Sequence, residues 1–71
     1  MTPLRLHRDL YAASAVDRAF GVYAPHATLA RREEAPYWVV DVSAQTPERE
    51  RRVAGELANY ALGLTVKERT R

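Results

Sequence analysis

The residues able to do chemistry in this chain are few and scattered. Histidine occurs twice, at His7 and His26, and neither has an acidic cluster fixed beside it. A metal site needs further ligands at defined spacing. Each histidine therefore reads as a surface residue, His7 alternating with leucines on an extended segment and His26 following Pro25 in a turn. Cysteine is absent, which removes disulfides and thiolate metal sites together. Asp41 stands out because strands disfavour Asp and it interrupts the most strand-like run of the sequence; it is expected to reach water or to pair with an arginine. No Ser/His/Asp ordering, Gly-rich phosphate loop or paired-carboxylate cleft is recognisable. General acid–base work needs positioned groups inside a pocket, and a 71-residue chain can hardly enclose one. These residues predict no catalytic group, no metal and no cofactor: a binding protein, not an enzyme.

The elements that would position these residues are legible from periodicity. Pro3 to Arg8 alternates, with Leu4 and Leu6 on one face and Arg5 and His7 on the other, a half-buried strand. Asp9 offers a cap to a following helix whose apolar face is Ala12, Ala15, Val16, Ala19, Phe20 and Tyr23. Pro25 ends it. Ala27 to Arg32 gives a weakly patterned strand, Arg32 to Pro36 a polar connection, and Tyr37 to Val42 a strong strand rich in aromatic and β-branched residues. Thr46, Pro47 and Glu48 announce a second helix by cap, first-turn proline and dipole complement. Its seam is read as Val53, Leu57, Tyr60 and Leu64, with Gly63 as a terminator or weak point. Thr65 to Glu68 has the form of a further capping box.

The order strand, helix, strand, strand, helix predicts one α+β domain over residues 1–71. A helical crossover makes the first two strands parallel, and a split arrangement places the third between them, antiparallel to both. The expectation is a three-stranded mixed sheet with two helices on one face, a ferredoxin-like unit lacking its last strand. The first strand is then an open edge, a liability in so small a domain unless something occupies it. A domain of this size buries only roughly 60% of its unfolded surface, so a partner strand or a second copy is the expected source of further stability.

Composition narrows the partner. The net charge is +2, from eleven basic and nine acidic residues. Every basic run has acids beside it: Asp9 after Arg8, Glu33 and Glu34 after Arg31 and Arg32, Glu48 and Glu50 around Arg49. That is not the one-sided basic stripe of a phosphate-backbone binder, so nucleic acid is disfavoured. No apolar run has the length of a membrane span or a signal sequence, and the expected location is cytoplasmic, without a membrane partner. On the second helix Gly55, Ala58 and Leu62 fall on the side away from the core seam, with Asn59 beside them. Small residues next to an exposed leucine suit close approach of another helix, although single exposed apolar residues are common on ordinary surfaces. Leu4, Leu6, Gly55, Ala58, Asn59 and Leu62 are the candidate partner-binding residues.

Two segments carry a family resemblance. Leu10-Tyr11 followed by Ala15-Val16 and Ala19 resembles the tyrosine and first helix of the His-Xaa-Ser system protein D family. Leu57-Ala58-Asn59-Tyr60-Ala61-Leu62 is similar to that family's Leu-Asn-Asp-Tyr-x-Leu segment, with Ala58 and Asn59 in place of its Asn and Asp, and Gly63 in place of the following arginine. The resemblance implies a small accessory component of a radical-SAM system that modifies ribosomally made peptides. The implied role is to bind a precursor peptide or a maturase enzyme. The competing expectation is a structural subunit or homodimeric module without peptide recognition.

Overall fold

A computed structural model describes residues 1–70 of the chain. Its elements follow the expected order: β1 (Thr2–His7), α1 (Ala13–Tyr23), a 3₁₀ turn (Ala24–His26), β2 (Thr28–Glu34), β3 (Tyr37–Ser43) and α2 (Pro47–Arg69). The sheet order is β1-β3-β2, and both ladders are antiparallel. β1 and β2 thus point the same way, as expected, but they do not touch, so the sheet is antiparallel throughout and not mixed. β2 runs two residues further than its weak pattern indicates, because its ladder with β3 continues to Glu34 opposite Tyr37 and leaves a two-residue turn at Ala35-Pro36.

Alternation decides the two faces. Leu4 and Leu6, Leu29, and Val40 and Val42 face the helices, where Leu6, Val16, Ala19, Val40, Val42, Val53, Ala54, Leu57 and Ala61 form the buried core. Among the described residues the opposite face carries no helix. Val39 is nevertheless 1% exposed there, since its ladder neighbours are Arg5 and Arg32, whose aliphatic stems cover apolar surface while their charged heads stay wet.

α2 differs from its sequence reading in three ways. Its buried line is Val53, Ala54, Leu57, Ala61 and Thr65, while Tyr60 and Leu64 are only half-buried. Small alanines define the seam because α1 crosses close by, and Ala15 and Ala19 of α1 are fully buried too. Gly63 does not end the helix, which runs 23 residues to Arg69. Thr65 opens no new helix. Its hydroxyl, 1% exposed, donates to Ala61 O at 2.8 Å and accepts the Ala12 N–H at 3.0 Å. That contact takes the place of the cap expected from Asp9, which lies in the turn after β1 with its side chain 89% exposed. The residue preceding α1 is Ala12, which has no capping side chain. At about 1.5 Å per residue α2 is on the order of 34 Å long, longer than any strand, and its last turns reach past the sheet. There Ser14 donates to Glu68 at 2.8 Å and Arg69 donates to Asp9 O at 2.8 Å.

Thr65→Val should therefore destabilise the domain although it keeps shape and volume. The variant leaves the Ala12 N–H without its partner, a loss of about 1–3 kcal/mol, readable as a lower urea midpoint at unchanged slope.

A candidate docking edge on the first strand

The first strand has one paired and one open side. Arg8 N–H donates to Pro36 O at 2.9 Å, and this bond sits in register with the ladder that pairs Leu6 with Trp38 and Leu4 with Val40. Antiparallel ladders alternate hydrogen-bonded and non-bonded pairs. The even residues Thr2, Leu4 and Leu6 therefore turn their main-chain groups to β3, and the odd residues Pro3, Arg5 and His7 turn theirs outward. Pro3 fits this parity, because it has no N–H to give to β3. The His7 carbonyl is already engaged by the N–H groups of Leu10 and Tyr11, at 3.0 and 2.9 Å. Among the described residues of β1, four groups are left at the open edge: Pro3 C=O, Arg5 N–H, Arg5 C=O and His7 N–H.

α2 flanks this edge. Glu50 near its start accepts from the Thr2 hydroxyl at 3.0 Å and lies 3.1 Å from the Met1 amino group, which seats α2 over β1. α1 lies toward β2, where Arg31 pairs with Asp17 and stands 5.6 Å over the Phe20 ring. Tyr60 meets Tyr23 of α1 edge-on at 6.0 Å. At about 100° per residue, Ala58 and Leu62 lie on the other flank of α2, away from α1 and on the side of the open edge. Ala58 is half-buried and Leu62 is 42% exposed.

The structure separates the six candidate residues. Leu4 is half-buried on the helix-side face of the edge strand, and Ala58 and Leu62 stand on the adjoining flank of α2. Leu6 is 1% exposed and belongs to the core, so its side chain supports the strand from beneath. Gly55 and Asn59 are exposed on the outer side of α2, and a Cβ built on Gly55 meets nothing within 4 Å. Nothing among the described residues requires a glycine at that position.

The other edge differs. By the same alternation β2 turns Leu29, Arg31 and Glu33 outward, and it ends in four successive charged residues, Arg31 to Glu34. Charged side chains are a common protection of edge strands. β1 carries only Arg5, Pro3 and the half-buried His7, whose ring lies edge-on to Tyr37 at 5.2 Å.

Electrostatics on the helix-free face centre on Arg32, which reasoning from the sequence did not single out. Its Nε donates to Asp41 at 2.9 Å and its head also meets Glu34, which Arg5 approaches at 3.7 Å. Asp41, 9% exposed, thus takes the arginine pairing foreseen for it. The Arg32 hydrogen bond holds its carboxyl below the ordinary value, with the opposite charge adding to the effect and desolvation opposing it. Glu50 is likewise lowered, first by the hydrogen bond from the Met1 amino group, then by those from Ala44 N–H and the Thr2 hydroxyl. His26 is exposed beside Tyr23, and among the described residues no three His, Cys, Asp or Glu side chains converge as metal ligands.

No family model, curated protein or solved structure matches this chain. The resemblance drawn from its two short segments accordingly stays a reading of those residues. No helix of the described residues is long and apolar enough to cross a membrane.

The two lowered carboxyls set a pH dependence. A group whose folded pKa is depressed contributes stability that is complete above its unfolded value and is lost as pH falls through the folded one. The melting temperature should be flat from neutrality to about pH 5 and fall below about pH 4, where free carboxylates begin to protonate. Glu50→Gln should lower the neutral-pH plateau and shallow the acid slope, as measured by thermal melts across pH.

Proposed function

We propose that this protein is a non-catalytic accessory module of a cytoplasmic pathway that modifies ribosomally made peptides. In this reading β1 accepts an extended segment of a precursor peptide, or of the maturase that acts on it, as an added strand. The observation that carries the reading is the open side of β1, with four unpaired main-chain groups beside an α2 flank of small and apolar residues. Strand addition draws affinity from main-chain bonds and specificity from alternate side-chain contacts. On the helix side an incoming residue meets Leu4, Ala58 and Leu62, and on the other side it meets Arg5 and His7. The preferred segment therefore alternates apolar and acidic residues.

The test is an anisotropy titration of labelled synthetic peptides with that alternation against the wild type and Arg5→Pro. Proline at position 5 removes an outward N–H and no ladder bond, so binding should weaken at least tenfold, about 1.4 kcal/mol, with the circular dichroism unchanged. Equal affinity for both proteins would sink the proposal. Steeply salt-dependent binding to DNA or RNA would instead favour a phosphate-backbone partner.

A second reading draws on the exposure of Leu62, 42%, and Val66, 53%, along one side of α2. In it the domain completes a larger assembly through that helix. Val66→Asp should then dissociate the assembly, whereas under strand addition, which does not use Val66, it should leave peptide affinity in place.

A further inference from the structure

Resting on the reading of β1 as the accepting strand, we propose that in the free protein this edge is closed by β1 of a second copy, and that a peptide must displace it. The two strands run antiparallel about a two-fold axis through Arg5.

The donor and acceptor order on the edge is self-complementary in that register alone. With Arg5 opposite Arg5 of the second copy, each Arg5 N–H meets the other's C=O. Each His7 N–H meets a Pro3 C=O. The remaining bond of a regular ladder would run from Pro3 N–H to His7 C=O. Pro3 has no such donor, and the His7 carbonyl is already filled by Leu10 and Tyr11. Four bonds form and nothing is orphaned. Sliding the copies to pair Pro3 with Arg5 leaves the Arg5 carbonyl without a donor, because proline offers none. Sliding the other way directs Arg5 N–H at the carbonyl that the turn has filled.

Side chains agree on the helix side. The register sets Leu4 opposite Leu6 of the other copy in non-bonded pairs, where side chains approach most closely. The half-buried Leu4 thereby gains an apolar neighbour, and the flanks bearing Ala58 and Leu62 face each other above the junction. On the open face the two Arg5 heads oppose each other, a repulsion reduced by the Glu34 carboxylate 3.7 Å from each. The product is a continuous six-stranded sheet.

Light scattering on the full chain should give twice the 8.0 kDa of one copy, and Arg5→Pro should halve that mass with unchanged circular dichroism. Amide exchange supplies a reading independent of any variant: Arg5 and His7 N–H should be protected in the wild type. Arg5→Cys gives another, since the two Cα atoms of a hydrogen-bonded antiparallel pair lie about 5.5 Å apart, within disulfide reach; mild oxidation should link the copies. A wild-type monomer whose Arg5 and His7 amides exchange freely overturns the proposal, and so does a dimer that persists in Arg5→Pro. A monomer that still binds the alternating peptides through β1 would overturn this proposal and leave the docking reading standing. A dimer that no peptide displaces would do the reverse.

Discussion

Leu6→Pro should abolish cooperative folding, while Arg5→Pro one residue earlier should leave a folded domain. The contrast follows from main-chain parity. Leu6 pairs with Trp38 on the side of β3, and its side chain is 1% exposed in the core. Proline there removes a ladder donor, leaves a buried acceptor unpaired at about 1–3 kcal/mol, and truncates a buried leucine, which by itself costs on the order of 2–5 kcal/mol. A domain of this length has about 4–10 kcal/mol in total, so the two losses consume most or all of it. Arg5 presents its N–H to solvent, and Leu4 before it already has the extended conformation that a following proline demands. Urea titrations followed by far-UV circular dichroism decide the matter. A folded Leu6→Pro beside an unfolded Arg5→Pro would reverse the parity and with it the list of free edge groups.

How much of this was legible in the sequence depended on the range of the interaction. Strand and helix identity is local: the alternation of Leu4 and Leu6 with Arg5 and His7, and the cap-proline-acid start at Thr46, are confirmed, Thr46 accepting from Arg49 N–H at 3.1 Å. The sheet order followed from connection rules. What escaped depended on a neighbour from elsewhere in the chain. Asp9 has the chemistry of a cap, but Thr65, 53 residues from Ala12, reaches the start of α1 instead. Thr65 in turn resembles the start of a helix only until Ala61 O and Ala12 N–H are seen to use its hydroxyl.

The seam of α2 was misplaced for a related reason. Periodicity weights large apolar residues, so Tyr60 and Leu64 outranked Ala54 and Ala61. Where two helices cross closely the innermost positions go to the smallest side chains, and only the crossing reveals them. The candidate edge was half legible. That β1 is open follows from topology, whereas which of its groups are free required the Arg8–Pro36 bond that fixes parity. The Arg32 pairing was foreseeable from Asp41 alone, because an acid on a half-covered strand needs a partner; which arginine answers it was a matter of register.

Leu57→Ala should lower the melting temperature by on the order of 10–40 °C, and the melting temperature of the variant should depend on protein concentration. Leu57 is 0% exposed at the centre of the core, so its truncation removes transfer energy and leaves a cavity, about 2–5 kcal/mol, with each kcal/mol worth roughly 4–8 °C in a domain this small. If β1 closes on a second copy, association adds to folding by mass action. Diluting Leu57→Ala should then deepen its destabilisation, whereas Leu57→Ala combined with Arg5→Pro should melt at a lower temperature that dilution does not move. Calorimetric or circular dichroism melts over a hundredfold range of concentration separate the cases. A melting temperature of Leu57→Ala that ignores dilution would mean the core alone sustains this fold, leaving the open edge without a part in stability. A concentration dependence that survives Arg5→Pro would place the association on another surface, such as the side of α2 that exposes Val66.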